Sequence, residues 1–258
     1  MNPALSTTLL SRIEDAGLNA SAPPQQRWVD GWLVRFSAGK AKRARCVNAV
    51  AAGRLPMSER LAACEQVYAD AGLPMIIRIT PFTLPSGLDE ALAAQGFQRF
   101  DDTRLMVHAD LATPTALALP AGATLLSVGL EAFANTVGAF RGSPLAQRQA
   151  HAERLLNAPV PFSAFELRID GQPATCGQMA TEGGFVGLYD VFTAPAFRGQ
   201  GLARVLCSQL LAQARAGGTQ HAYLQVEGDN HAARSVYRRL GFTDGYAYHY
   251  RARDPAAA

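Results

Sequence analysis

Residues 197–211 read FRGQGLARVLCSQLL. Arg198 and two glycines, Gly199 and Gly201, stand directly against an apolar run of helical period. Leu202, Val205, Leu206 and Leu210 fall on one face, and the run stops at Gly217-Gly218. Glycine costs a helix about 1 kcal/mol relative to alanine. A pair at the mouth of a helix therefore points to backbone that must approach something closely, often a phosphate. Upstream lies FVGLYDVFT (185–193), a largely apolar strand. Downstream come a strand HAYLQVE (221–227), a helix HAARSVYRRLGF (231–242) closed by Gly241, and a last strand YAYHYR (246–251).

Further back, ATLLSV (123–128) reads as a short strand, and 130–140 and 144–158 read as helices. FSAFELRIDG (162–171) alternates and ends in Asp-Gly, a hairpin signal, with 172–184 as its partner. The segment ADLATPTALALPAGA (109–123) is rich in Ala, Pro and Thr and reads as a linker. The expected domains are 1–108, a linker 109–122, and 123–258. The first half echoes the second. Residues 58–80 give helix, stop and strand, and 87–108 give a helix ending in Gly96-Phe97, then a strand. That order matches 202–227 and 231–251, and Gly96-Phe97 falls where Gly241-Phe242 falls.

The length permits one large domain or two smaller ones. Of 258 residues 48% are hydrophobic and 17% charged, enough apolar matter for a packed core, with a net charge of only +3. The densest basic patch, Lys40, Lys42, Arg43 and Arg45, reads as a solvated loop rather than a nucleic-acid site. Cys46, Cys64, Cys176 and Cys207 form no C-x-x-C pair and have no histidine at ligand spacing, so neither metal nor disulfide is expected. The N-terminus lacks the charged and apolar regions of a signal peptide, and no apolar run approaches the ~20 residues of a membrane helix. A cytoplasmic protein, monomer or homodimer, without membrane or nucleic-acid partners is expected.

Three glycine-rich loops compete at 198–203. A P-loop needs Lys-Ser or Lys-Thr after its last glycine, and Leu202-Ala203 stand there. A dinucleotide G-x-G-x-x-G from Gly199 meets Arg204 at its third glycine. The third reading fits. Arg198-x-x-Gly201-x-Ala203 resembles the pyrophosphate loop of the GNAT superfamily of acetyl-CoA-dependent N-acetyltransferases. First-turn N–H groups and the helix dipole favour an anion, and glycines clear its approach. A second signature agrees. Asn230, Ala233, Tyr237, Gly241 and Phe242 resemble the family's Asn-x-x-Ala-x-x-x-Tyr-x-x-x-Gly-Phe, with every spacing intact. Asn230 is also a natural N-cap.

The resemblance implies an α/β (α+β) chain of two GNAT-like domains, each a mixed, mainly antiparallel twisted sheet flanked by helices. The first copy is degenerate. No Arg-x-x-Gly-x-Gly/Ala precedes its helix, and Leu92 and Pro85 stand where the tyrosine and asparagine would be. It also implies direct acetyl transfer to a primary amine of a small molecule, amino acid or peptide. Acetyl-CoA would lie in a V between the strands at 186–193 and 221–227. Backbone of Val191, Phe192 and Thr193 would bond pantetheine and thioester carbonyl. Arg198, Gly199, Gln200, Gly201, Leu202 and Ala203 would hold the pyrophosphate, with Asn230, Ala233 and Tyr237 beside the cofactor and Tyr237 protonating the leaving thiolate.

Some relatives carry a glutamate base where this chain has Gln225 in Leu224-Gln225-Val226. Asp190, inside an apolar strand and with a raised pKa expected there, is the substitute, ahead of Glu182 and Glu227. Phe140, Arg141 and the face Tyr246, Tyr248, Tyr250 are candidates for the acceptor, with Arg141 suited to a carboxylate. Trp32 and Arg35 are further candidates, set against a core tryptophan and a surface arginine. Two alternatives remain: a non-catalytic acyl-CoA sensor, and a nucleotide-binding oxidoreductase.

Overall fold

Asp170 and Gly171 both adopt left-handed backbone (φ +47° and +80°) and close the hairpin that the sequence marks there. In the computed structural model, which describes residues 5–37, 41–112 and 116–257, the hairpin sits in the middle of the chain's larger unit. The elements in order are α1 (Thr7–Ala20), β1 (Gln26–Val29), β2 (Trp32–Arg35), β3 (Val47–Asn48), α2 (Met57–Asp70), β4 (Ile77–Ile79), α3 (Leu88–Ala94) and β5 (Gln98–His108). Then come β6 (Ala123–Val128), α4 (Leu130–Phe140), α5 (Leu145–Leu156), β7 (Phe162–Ile169), β8 (Gln172–Glu182), β9 (Phe185–Thr193), α6 (Leu202–Ala216), β10 (His221–Glu227), α7 (His231–Arg239) and β11 (Thr243–Ala252). The chain is thus mixed α/β, with mostly antiparallel strands flanked by helices.

The chain forms two compact units, and neither is one contiguous stretch. The first comprises Met1–Ala20, Leu105–Val226 and Asn230–Gly245; the second comprises Ser21–Arg104, Glu227–Asp229 and Tyr246–Ala258. Each half of the chain therefore lends the end of its last strand to the other unit. The N-terminal helix α1, expected with the first half, belongs to the unit built from the second.

In the first unit β6, β7, β8 and β9 pair antiparallel in sequence order, and β10 pairs parallel to β9. One face of this sheet carries α6. Leu202, Leu206, Leu210 and Leu211 pack there with Phe165, Leu167, Val186, Leu188 and Leu224. Full burial of each leucine contributes about 2 kcal/mol. The other face carries α4 and α5, through Phe133, Val137 and Leu155 on Ala164 and Cys176, and α1 through Ala20 near Ala180 and Tyr189. A Cβ on Gly187 would lie 2.5 Å from the Tyr189 ring and 2.7 Å from that of Tyr223, whose hydroxyls are 2.8 Å apart. Gly187→Ala is expected to destabilise this unit by about 2 kcal/mol, readable as a lower urea midpoint with unchanged slope.

The segment expected to be a linker is anchored to the first unit at Leu111 and Leu117; Thr113–Thr115 lie outside the described residues. Leu111 is fully buried and its N–H donates to Gln220 O (2.9 Å). Leu117 N–H donates to Ser208 Oγ, and Gln209 Nε2 donates to Leu117 O (2.7 Å). An apolar anchor and satisfied backbone groups hold it as a packed strap.

The second unit orders β1, β2, β3 and β4 and closes with β11, where His249 faces Ile79. Its core holds Trp32, Val47, Leu61, Ile77, Leu88, Leu92 and Phe97. The helices α3 and α7 end alike. Gly96 and Gly241 N–H groups donate to carbonyls three residues back, and Phe97 and Phe242 N–H groups donate to Leu92 O and Tyr237 O. By hydrogen bonding as well as by counting, Leu92 occupies the place of Tyr237. The basic patch is no plain solvated loop. Lys42 pairs with Asp101 (2.8 Å), Arg43 Nη1 donates to Tyr248 Oη (3.2 Å), and Lys40 lies outside the described residues.

Candidate active site

Strand β9 runs into a short turn at Pro195–Phe197, then the glycine loop, then α6. Gly199 and Gly201 have φ of +79° and +75°, a region that costs other residues strain. A Cβ on either would meet no atom within 4 Å. The glycines thus set the backbone turn and leave open space over the loop, rather than relieving a clash. Gly201 is the N-cap of α6 and makes no side-chain hydrogen bond; a helix N-terminus of this kind can receive an anion. Arg204, on that first turn, has its Nε buried with no hydrogen-bond partner. Arg198 Nε donates to Thr193 O (3.4 Å), and its guanidinium lies 5.5 Å from the centre of the Phe192 ring.

β9 and β10 pair from Phe185/His221 to Leu188/Leu224, and no pair follows. Beyond that point the two strands part. At the same level the register between β9 and β8 shifts. Cys176 faces Phe192 and Gln178 faces Tyr189, so Asp190 and Val191 together oppose Gly177. This is a β-bulge, and Asp190 sits in it at φ +49°.

The Asp190 carboxylate is held on several sides. Arg141 Nη2 donates to Oδ1 (2.9 Å), Gln178 Nε2 donates to Oδ2 (2.7 Å), and His151 Nε2 lies 3.2 Å from Oδ2. Burial acts to raise its pKa, but the His151 contact and the charges of Arg141 and Arg154 outweigh it and hold the carboxyl well below the ordinary value. The expected raised pKa is therefore corrected. An apolar strand sequence does not reveal partners that come from other elements, and a carboxylate kept this acidic is a poor proton acceptor.

Tyr237 is half-buried, with its ring edge-on to Phe242 at 6.0 Å. Burial, with a smaller effect from Cys207, raises its pKa well above 10, so the phenol keeps its proton at neutral pH. Asn230 caps α7 as its sequence position predicts, accepting from Ala233 N–H at 3.1 Å. Phe140 stacks on Phe192 with centroids 6.1 Å apart, and the Arg141 guanidinium lies 5.5 Å from the same ring. Phe140, Arg141, Asp190 and Phe192 are thus brought together in the first unit.

Other candidates are not. Tyr248 is 1% exposed in the second unit, with Arg78 4.0 Å above its ring; Tyr246 and Tyr250 are buried too. Their shared face is a core face. Trp32 is fully buried and donates Nε1–H to Leu84 O. Arg35, expected at the surface, is 2% exposed and donates to Gln26 Oε1 and Arg43 O. Glu182 accepts from Asn19 Nδ2 (2.9 Å), and Glu227 is exposed and assigned to the second unit. Sequence reasoning missed His151 and Gln178. Neither belongs to a motif, and only the fold brings them to Asp190.

Burial pushes the thiols of Cys64, Cys176 and Cys207 up to about 12, and all four cysteines are free and buried. Such thiols are unreactive packing groups. Among the described residues no cluster of three or more His, Cys, Asp or Glu could hold a metal ion, and no helix is long and apolar enough to cross a membrane.

Residues 135–242 match the family model described as Acetyltransferase (GNAT) family. Among curated proteins the chain is 27% identical over 233 residues to an uncharacterized N-acetyltransferase of Bacillus subtilis, YobR, covering 88% of this chain and 91% of that one. Among solved structures it resembles a GCN5-related N-acetyltransferase from Kribbella flavida, with TM-score 0.72, 19% identity and 97% of each chain covered. It also resembles a tandem GNAT protein from the clavulanic acid biosynthesis pathway, with TM-score 0.59, 18% identity, and 78% of this chain and 72% of that chain covered. Residues 135–242 are the part of the chain that matches the GNAT acetyltransferase family, and both sequence motifs fall inside that stretch.

Proposed function

We propose that the chain moves an acetyl group from acetyl-CoA directly to a primary amine. One observation carries this reading: a helix N-terminus without a side-chain cap, behind two open glycines, follows a strand whose pairing with β10 ends partway. The amides of Arg198 to Ala203 would hold the pyrophosphate, with Arg198 adding charge. Backbone of Val191, Phe192 and Thr193, past the bulge, would orient the thioester arm. An N–H aimed at the carbonyl steadies the developing oxyanion, worth about 3 kcal/mol when one such donor is removed. Acetyl-CoA supplies an activated acyl group. Asn230 and Ala233 would fix the start of α7. As the C–S bond breaks Tyr237 would give its proton to the departing sulfur, while the amine nitrogen loses a proton to solvent water, from which the phenol is reprotonated.

Asp190 is an anchor in this scheme and not the base. The acceptor meets Phe140 and Arg141. Arg141 is 39% exposed and spends one nitrogen on Asp190, which leaves donors suited to the carboxylate of an amino acid or peptide. The second unit is a degenerate GNAT-like copy without catalysis, since Leu92 has no proton to give. The four free thiols support a reducing, cytoplasmic setting.

Coenzyme A and NAD in a thermal-shift assay test the cofactor, because a ligand that binds only the native state stabilises it. At 100 times its Kd coenzyme A is expected to add about 2.7 kcal/mol, and NAD nothing. Stabilisation by NAD alone would overturn the reading in favour of an oxidoreductase. Thiol release from acetyl-CoA against amino acids, short peptides, polyamines and aminoglycosides then identifies the acceptor. Stabilisation without release for any amine would favour a sensor.

A further inference from the structure

The bulge on β9 lies just past the last pair with β10 and within the continuing ladder with β8, and left-handed backbone there costs a non-glycine residue strain, least for Asp and Asn. Asp190 is that residue, and its side chain has partners on three different elements. Arg141 is the C-cap residue of α4, His151 lies in α5, and Gln178 lies on β8 opposite Tyr189. Gln178 is fully buried and its Oε1 has no hydrogen-bond partner, so its amide is committed to the one bond it donates to Asp190. His151 also packs edge-on against Phe133, a core residue of α4, at 6.4 Å. Arg141 spans from Asp190 to the face of Phe192, two residues further along the same strand. One carboxylate thus ties the helix pair α4–α5 to the strand segment Asp190–Phe192.

We infer that Asp190 is a positioning residue: with Arg141, His151 and Gln178 it forms a polar clamp that sets the β9 bulge and locks α4–α5 onto it. The clamp acts through the backbone of Val191 and Phe192 and transfers no proton. It makes the placement of the helix pair and the geometry of the strand one variable, so an acceptor that shifts α4–α5 also shifts the backbone meant for the thioester. This inference rests on the acetyltransferase reading for its effect on turnover, but not for its effect on the fold.

The test compares Asp190→Asn with Asp190→Ala in the full chain. Asparagine keeps the shape, tolerates left-handed backbone, still accepts from Arg141 and, with the Gln178 amide turned over, keeps a bond to Gln178. Alanine keeps none of them. Two readouts are used. Hydrogen exchange followed by mass spectrometry needs no substrate. Asp190→Ala is expected to lose at least about tenfold in protection in both 130–156 and 185–193, and Asp190→Asn to stay near wild type. For turnover, with the fastest amine from the panel, Asp190→Ala is expected to lower kcat about 100-fold with unchanged coenzyme A affinity. Asp190→Asn is expected to stay within about tenfold and to keep the wild-type pH profile.

If Asp190→Asn is as inactive as Asp190→Ala and the acid limb of the profile disappears, Asp190 is the base and the clamp is overturned. Loss of protection confined to 185–193 overturns the coupling to α4–α5. Should Asp190→Ala fail to fold, Gln178→Leu, close in volume, takes its place, with about tenfold lower kcat expected and increased exchange in the same two segments; no change in either overturns the clamp. Absence of turnover in the wild-type chain with every amine would count against the acetyltransferase reading alone, and the exchange result would still decide the clamp.

Discussion

Tyr237→Phe is expected to lower kcat for acetyl transfer about 100- to 1,000-fold while leaving KM for acetyl-CoA within about threefold. The substitution removes one oxygen. The ring remains to pack edge-on against Phe242, so the melting temperature should change by no more than about 2 °C. The pH dependence adds a second mark. A general acid works while protonated, and burial raises this phenol above its ordinary value of 10. Its proton is therefore retained as pH rises, and kcat of the wild type should show no decline from this group up to about pH 10. Steady-state thiol release between pH 6 and pH 10 measures both. A Phe variant with wild-type kcat would remove Tyr237 from the chemistry and leave it as a core residue that happens to match a motif.

Gly201→Val raises the Kd for coenzyme A about 100-fold, or about 2.7 kcal/mol, at a modest cost in stability. Valine at φ +75° is strained, by about 1–2 kcal/mol, which corresponds to a melting temperature lower by about 3–6 °C. Its Cβ meets no atom of the chain within 4 Å, so no large repacking of the core is expected. What it fills is the open space over the first turn of α6. Gly218→Val is the control. That glycine, beyond the other end of α6, has φ +93° and equally open surroundings. It should show similar strain with coenzyme A affinity unchanged. Equal affinities for the two variants, measured by titration calorimetry, would mean that the glycine loop only turns the chain.

The helix ends of α3 and α7 differ at one telling position. α3 and α7 share their terminal hydrogen bonds residue for residue, yet one carries Leu92 and the other Tyr237. A leucine there is fully buried and contributes only packing. The tyrosine is half-buried and keeps a proton. One side chain separates a structural helix end from one able to act as an acid.

Local chemistry was legible in the sequence. Periodicity and turn residues placed β7, β9, β10 and α4 within a residue or two, because each is dictated by neighbours along the chain: alternation on a half-buried strand, left-handed backbone at Asp170-Gly171, a cap at Asn230. The glycine loop and the Asn230–Phe242 motif were legible for the same reason, since a helix N-terminus is made by consecutive residues. The split of β5 and β11 between the units, the place of α1, the anchoring of the supposed linker through Leu111, and the burial of Arg35 and Tyr248 were not. Strand exchange and burial depend on which surfaces meet, and apolar pattern alone does not name the partner. Asp190 shows the limit most clearly. Its strand could be read, but its charge state could not, because the groups that set it, Arg141, His151 and Gln178, lie 12 to 49 residues away in sequence. Electrostatic energy follows distance in space, and only the tertiary structure fixes that distance.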